Sequence, residues 1–158
     1  MKKLNILQFI CPAGFYGAEM WILALAKNLD PERVNCRLVI THESERQNRE
    51  IYDRFVALGL GAHQIAMTGR FDPRVLIALR SLIRQHGINV IHTHGYKSDI
   101  LGLIAARLTG IKVLATPHGF ENAPDLKLQL FMRMGCLALK HCDRVAPLSE
   151  ELASDIRN

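Results

Sequence analysis

The sequence contains no long hydrophobic run and few aromatic residues, which make up 6% of its 158 residues. A membrane-spanning helix needs roughly 18 or more consecutive apolar residues, and no segment comes near that length. The start, Met1-Lys2-Lys3, leads into an apolar segment without the small-residue cleavage site of a secretory signal. These absences argue against a membrane span and against export, and we expect a cytoplasmic protein.

Cysteine motifs are lacking as well. The four cysteines form no C-x-x-C pair, and without a secretion signal their even number does not indicate disulfides. We expect reduced thiols, mostly buried. His92 and His94 have the spacing of a chelating pair, but no carboxylate or cysteine stands at a spacing that would complete a closed zinc site. The sequence therefore predicts neither a bound metal nor a cofactor.

Clustered charge is also absent. The net charge is +5, which favours anionic ligands and surfaces, yet no run of five or more lysines and arginines occurs. The basic residues are scattered, although Arg74, Arg80 and Arg84 share one predicted helix. We expect no nucleic-acid partner, whereas peripheral contact with an anionic membrane at its inner face stays open.

Two enzyme motifs are missing. Without G-x-S-x-G, a serine hydrolase of the nucleophile-elbow type is not indicated. The dinucleotide fingerprint G-x-G-x-x-G is replaced by Gly14-x-x-Gly17, although Glu43 supplies an acidic residue after the second predicted strand. That partial match leaves a nucleotide-binding Rossmann enzyme open.

What the sequence does contain is a regular alternation of short apolar segments and longer helical patterns, with 49% hydrophobic residues in all. The predicted strands are 4–10, 34–41, 62–66, 89–93, 112–116 and 144–148, and the predicted helices are 18–29, 48–58, 73–86, 98–109 and 126–141. Strands that are apolar on both faces and separated by helices indicate a parallel sheet covered on both sides. We predict an α/β fold: one Rossmann-like, doubly wound domain with three α/β/α layers.

Polar residues follow three of these strands, where ligands of such sheets bind. The Gly14–Glu19 turn opens a helix whose first N–H groups lack partners and suit a phosphate, although Glu19 could equally stabilise the first turn. His94 and His118 each precede a glycine, which favours a ligand-facing role, whereas His92 lies within the strand pattern and favours a structural role. The two readings are balanced for Lys97, and helix stabilisation is favoured for Asp99.

Four motifs in register carry a family resemblance: Gly17-Ala18-Glu19, Val90-Ile91-His92-Thr93-His94-Gly95, Thr116-Pro117-His118-Gly119 and Ala146-Pro147-Leu148-Ser149-Glu150. Together they resemble the N-terminal domain of a GT-B-fold glycosyltransferase of family 4, over the whole chain. The resemblance implies a retaining hexosyltransferase that moves a sugar from a nucleotide-sugar donor to a glycan or lipid-linked acceptor in cell-envelope polysaccharide synthesis. It implies no metal.

The resemblance also assigns roles to single residues. His118 would be catalytic and face the transferred sugar, and the α-helical turn at Gly17, Ala18 and Glu19 would hold the donor diphosphate. The acceptor side would be formed by Tyr16, His94, Tyr96 and Lys97, and the interdomain cleft by Gly119, Ser149 and Glu150.

Two departures from the family pattern accompany this assignment. Tyr16 stands where many members have a second glycine, and no two glutamates are separated by seven residues as in the family's donor site. The chain ends just after Ser149 begins a helix. We therefore expect an acceptor-side domain over 1–158, truncated before the C-terminal donor-binding domain and inactive by itself.

Alternatives remain. A non-catalytic module that binds a nucleotide sugar or glycan, and a sugar-nucleotide epimerase of the same architecture, fit the same motifs. The apolar helix at 126–141 either packs against core or missing domain, or faces a membrane.

Overall fold

A computed structural model of the chain describes residues 3–44, 46–69, 72–118 and 126–157. Six strands and six helices alternate along it. The strands are β1 (Leu4–Ile10), β2 (Val34–His42), β3 (Gly61–Ala66), β4 (Val90–His94), β5 (Lys112–Ala115) and β6 (Arg144–Val145). The helices are α1 (Gly17–Asn28), α2 (Glu50–Ala57), α3 (Pro73–Gln85), α4 (Tyr96–Thr109), α5 (Leu126–Lys140) and α6 (Glu150–Arg157).

The strands form one parallel sheet in the order β3-β2-β1-β4-β5-β6. Strand β1 lies between β2 and β4, with Ile6 aligned to Cys36 on one side and Val90 on the other. From β1 the chain adds β2 and β3 toward one edge of the sheet, and then β4, β5 and β6 toward the other edge. The strand order therefore reverses between β1 and β4. In a doubly wound sheet, this switch point leaves a crevice at the carboxyl ends of the strands, where ligands bind.

Helices cover both faces of the sheet. On one face, Val75 and Leu79 of α3 and Leu101 of α4 pack on Leu7 and Phe9 of β1. On the other face, α1 and α2 cover the alternate side chains of the same strands, as in the cluster of Ile22, Phe55, Ile10, Leu38 and Ile40. Because the strands are buried on both sides, their apolar runs are nearly continuous. The predicted doubly wound, three-layer Rossmann-like fold is confirmed.

Most element boundaries lie within two residues of the sequence prediction, and backbone geometry explains two of the differences. Helix α4 begins at Tyr96, two residues early, because Gly95 adopts φ 98° and turns the chain directly from strand into helix. Strand β6 ends at Val145 instead of 148. Pro147 follows two residues later and has no N–H with which to continue the ladder.

Two further expectations concern cysteines and membrane spans. All four cysteines are free, as predicted, but only Cys36 is buried and the other three are half-buried, so the expectation of mostly buried thiols is wrong. Within the described ranges, no helix combines the length and the apolar character needed to cross a bilayer.

Candidate functional site

A cavity of about 590 Å³ lies at the carboxyl edge of the sheet, at the switch point. Its wall is formed by the segments that follow β1, β2, β4 and β5, and by one side of α5. Six residues to which the family resemblance assigned roles line it, namely Ala18, Glu19, His94, Tyr96, Lys97 and His118. The fold thus brings together groups from three separate loops.

The first wall is the N-terminal turn of α1. Tyr16 precedes the helix with φ −130°, so the residue that replaces a family glycine needs no positive φ. Its ring is 68% exposed and occupies the space that a Cβ at Gly14 would need. A Cβ added at Gly17, in contrast, would meet no atom within 4 Å. The first helix turn is therefore open to a ligand at Gly17.

Glu19 is buried, and its Oε2 accepts the N–H of Tyr16 at 2.9 Å. This bond ties the carboxylate to the start of the helix, which is the first-turn role that the sequence left open. The next N–H groups, of Gly17 and Ala18, belong to the first helical turn, which has no intrahelical acceptors. These N–H groups are therefore available to donate hydrogen bonds to an anion, whereas the carboxylate of Glu19 can only accept them.

The second wall is a chain of hydrogen-bonded side chains. His94 ends β4 and is 3% exposed; its Nε2 lies 2.7 Å from Gln8 Oε1, and its Nδ1 lies 3.1 Å from His118 Nε2. Both ring nitrogens of His94 thus have protein partners. His94 lines the cavity and is hydrogen-bonded to His118, and its predicted contact with an acceptor stays a prediction. Gln8 is a site residue that the sequence analysis missed. The available signal was a glutamine inside the apolar run of β1.

Trp21 of α1 packs against all three imidazoles of this region. Its ring centroid lies 5.7 Å from that of His92, 5.6 Å from that of His94 and 5.7 Å from that of His118. Burial lowers the pKa of His118, and burial together with the neighbouring imidazoles lowers the pKa of His94 well below its usual value. The site therefore holds neutral imidazoles near pH 7.

His92 has the structural role that its position in the strand predicted. Its Nε2 lies 2.8 Å from Thr116 Oγ1, and its ring centroid lies 4.3 Å from that of His94. Burial, followed by the neighbouring His118, lowers the pKa of His92 to about 4. His92 is a neutral packing residue behind the site.

On the opposite side of the cavity, Lys97 Nζ lies 2.8 Å from Glu43 Oε1. The lysine is 22% exposed and the glutamate 44% exposed, so the pair lies at the cavity mouth. Glu43, which the sequence offered as the acidic residue of a dinucleotide site, is instead paired with a lysine. The partial Rossmann-enzyme match gains no support from this arrangement.

Asp99 is a site residue that the sequence analysis undervalued. It lines the cavity, is 2% exposed, and its Oδ1 accepts the hydroxyl of Thr93 at 2.5 Å. Burial raises the pKa of this carboxyl to about 7. The signal for its burial was the apolar stretch Ile100-Leu101-Gly102 that follows it in the same helix.

Four predicted residues do not line the cavity, and one lies outside the described residues. Ser149 Oγ accepts the N–H of Leu152 at 3.2 Å and so caps α6, with Glu150 in its first turn. Gly17 and Tyr16 flank the cavity wall without forming it. Gly119 falls outside the ranges that the structure describes. The predicted cleft residues therefore remain predictions.

A metal site was also sought. Across residues 3–44, 46–69, 72–118 and 126–157, no three side chains of histidine, cysteine, aspartate or glutamate are grouped so as to hold a metal ion.

Comparison with known proteins gives a family match over nearly the whole chain. The model of the family described as Glycosyltransferase Family 4 matches residues 15–158. A 50-residue stretch is 46% identical to the UDP-Gal:alpha-D-GlcNAc-diphosphoundecaprenol alpha-1,3-galactosyltransferase of Escherichia coli. That match covers 31% of this chain and 13% of the relative.

Solved structures share the fold. A glycosyltransferase from Rickettsia africae is 20% identical with a TM-score of 0.67, over 99% of this chain and 39% of that one. A UDP-N-acetylglucosamine 2-epimerase is 15% identical with a TM-score of 0.68, over 98% and 44%. Anabaena Alr3699/HepE in complex with UDP is 13% identical with a TM-score of 0.66, over 89% and 36%. The chain thus spans less than half the length of these proteins.

Proposed function

Since the chain belongs to glycosyltransferase family 4, we propose that it forms the N-terminal, acceptor-side domain of a GT-B enzyme. The enzyme transfers a hexose from a nucleotide-sugar donor to a glycan or lipid-linked acceptor, with retention at the anomeric carbon. The observation that carries this proposal is the single cavity that joins the α1 N-terminus, His118 and Lys97 at the switch point of the sheet.

The donor side of the proposed site is the start of α1. As the bond to the sugar breaks, the nucleotide diphosphate gains negative charge. The N–H groups of Gly17 and Ala18 form the positive end of the α1 dipole, which stabilises that charge. His118, neutral and hydrogen-bonded to His94, faces the sugar as the catalytic contact. Residues of a donor-binding domain complete the nucleotide site.

The acceptor side is the wall formed by α4 and α5. Tyr96 and Lys97 line it, and the buried carboxyl of Asp99 adds a group that can hydrogen-bond a sugar hydroxyl. The acceptor named for the Escherichia coli relative is a sugar on diphosphoundecaprenol. A lipid-linked acceptor of this kind supports a role in cell-envelope polysaccharide synthesis.

Such an acceptor would place the protein at the inner face of the membrane, bound peripherally. Helix α5 presents four exposed apolar residues on its outer side, namely Leu126, Leu130, Met134 and Leu137. We call this set the α5 stripe. Exposed Arg133 and Lys140 lie beside it, and the chain carries a net charge of +5, so its chemistry complements an anionic lipid surface.

An epimerase is the second candidate, because one structure with this fold is a UDP-N-acetylglucosamine 2-epimerase. At 15% identity that likeness concerns the fold alone. The two activities separate in one assay of the domain joined to its donor-binding partner. A transferase releases nucleoside diphosphate only in step with acceptor glycosylation, whereas an epimerase converts the nucleotide sugar without acceptor. A binding module does neither.

The test of the donor side is Gly17→Ala in that two-domain protein. The added methyl group meets open space in this domain, so folding is preserved, but it stands where the diphosphate must approach the first helical turn. We expect kcat/KM to fall on the order of 100-fold, the effect of a displacement of about 1 Å in a reacting geometry. The melting temperature of the same variant is the control. An unchanged rate would show that the turn is only a structural corner.

A further inference from the structure

Gln8 is the starting point, because it is a fully buried amide in the middle of the apolar strand β1. It is 0% exposed and lies between Leu7 and Phe9, which belong to the hydrophobic core. Burying an amide costs free energy unless its atoms find partners. Gln8 Oε1 has Nε2 of His94 as its partner, at 2.7 Å, whereas Gln8 Nε2 is buried with no hydrogen-bond partner among the described residues. A polar residue at this position therefore has a specific task at the site.

The chemistry of the two atoms fixes where the proton lies. An amide oxygen only accepts hydrogen bonds, so Nε2 of His94 must carry the hydrogen. A neutral imidazole with a hydrogen on Nε2 has a lone pair on Nδ1. His94 Nδ1 is 3.1 Å from His118 Nε2, so that atom of His118 must be the donor. The hydrogen of neutral His118 is then on Nε2, and its Nδ1 is unprotonated.

We propose that Gln8 is a positioning residue that acts through His94 to hold His118 as the Nε2–H tautomer, with an unprotonated Nδ1 available to accept a hydrogen bond from a ligand hydroxyl. The assignment of a sugar hydroxyl rests on the proposed function, whereas the tautomer does not. The structure records no partner for Nδ1 of His118 among the residues it describes. His118 lines the cavity, so a ligand there can reach this imidazole.

The surroundings keep the three groups in this arrangement. Trp21 packs against the rings of both His94 and His118, and His92, itself bonded to Thr116, packs on the other side of His94. Burial lowers the pKa of His94 and of His118, so neither imidazole is protonated on both nitrogens at pH 7.5. With both imidazoles neutral, the orientation of the Gln8 amide sets the direction of the hydrogen bonds from Gln8 through His94 to His118. The opposite amide orientation would reverse every bond and place the hydrogen of His118 on Nδ1.

The test is a long-range proton–nitrogen NMR correlation on the 158-residue chain, labelled with ¹⁵N-histidine, at pH 7.5. The wild type is expected to show the Nε2–H pattern for both His94 and His118. Gln8→Met removes the acceptor at nearly constant volume and should convert both to a mixture of tautomers. Gln64→Met, on the outer strand β3, is the matched control and should change neither residue.

The outcomes separate cleanly. An Nδ1–H tautomer or a mixture for His118 in the wild type overturns the proposal without any variant, even where Gln8→Met does not fold. An unchanged Nε2–H pattern in folded Gln8→Met shows that something other than Gln8 sets the tautomer, and overturns it as well. Because the measurement needs no donor, acceptor or turnover, a failed transferase assay would leave the result standing.

Discussion

Burial determines the pKa values of Asp99 and His92 near the cavity. Asp99 and His92 are shifted in opposite directions, the aspartate to a pKa of about 7 and the histidine to about 4, since a buried group disfavours its charged form. Lys97 and Glu43 instead lie at the mouth, where water supports their charges and the ion pair contributes little stability. The histidines of the site are therefore mainly neutral at pH 7, whereas the Asp99 carboxyl, with a pKa of about 7, titrates near that pH.

Asp99 therefore makes the stability of the domain depend on pH. Its pKa is 3.8 in a solvated chain and about 7 in the fold, so the folded state holds a proton that the unfolded state releases. Protonated Asp99 is compatible with burial, so its burial costs no ionisation free energy below pH 3.8. That cost grows as the pH rises from 3.8 to about 7, and the domain loses stability over this range. Asp99→Asn carries no charge and keeps an oxygen for Thr93. We expect the free energy of unfolding of Asp99→Asn, taken relative to that of the wild type, to rise by about 1–3 kcal/mol from pH 5 to pH 8.

Urea unfolding of both proteins at the two pH values measures this difference. Asp53→Asn, an exposed position on α2, is the control and should show the same difference from wild type at both. An Asp99→Asn difference that does not change with pH would mean that Asp99 is ionised in the fold.

At the scale of elements, helix α4 approaches strand β4 through a glycine. A Cβ at Gly102 would collide with Cγ2 of buried Thr93, and it would also contact Phe9 Cδ1 at 3.5 Å. A similar contact joins α5 to α4, where a Cβ at Gly135 would lie 2.6 Å from Tyr96 Cβ. These two close crossings hold the wall of the cavity that carries Tyr96 and Asp99.

Gly102→Ala is expected to lower the free energy of unfolding by about 1–3 kcal/mol, although alanine favours a helix by about 1 kcal/mol. Thr93 is β-branched and buried in the sheet, so it cannot move aside. Denaturant unfolding measures the change. Ser81→Ala on the exposed side of α3 is the control and should change stability by only a few tenths of a kcal/mol. A stabilised Gly102→Ala protein would show that α4 does not approach β4 this closely.

At the scale of the whole molecule, the proposed membrane contact and the proposed cavity meet on α5. One side of this helix lines the cavity through Met132, Cys136 and Leu139, and another side carries the α5 stripe. A lipid-linked acceptor could thus enter from the bilayer along a single helix. The domain by itself has no donor-binding partner, and we expect no turnover of nucleotide sugar from it.

Vesicle sedimentation tests the membrane contact. The chain should bind vesicles that contain anionic phosphatidylglycerol and lose binding as salt rises, because charge attraction is screened over about 10 Å at 0.1 M salt. Leu130→Ser with Leu137→Ser should weaken binding several-fold by removing apolar contacts with the bilayer. Ile77→Ser, which changes an apolar residue that is 71% exposed on α3, is the matched control. Equal binding by all three proteins would place the contact elsewhere.

The sequence by itself determined the fold, because the signals for it are local. Apolar runs of strand length, helical periodicity and glycine or proline at the boundaries are each read within a few residues, and they predicted six parallel strands with helices on both faces. The same locality placed the Gly17 turn, His94 and His118 at strand ends on one edge of the sheet. Family membership follows from motifs of this kind in a fixed order.

Only the tertiary structure decided what those residues do to one another. Gln8 meets His94 across 86 positions of the chain, and His94 meets His118 across 24, because β1, β4 and the end of β5 lie side by side in the sheet. Asp99 is a charged residue type, yet it is buried because α4 turns its side chain toward Thr93. Burial and hydrogen-bond partners depend on strand register and helix packing, which are properties of the assembled chain and not of any segment of it.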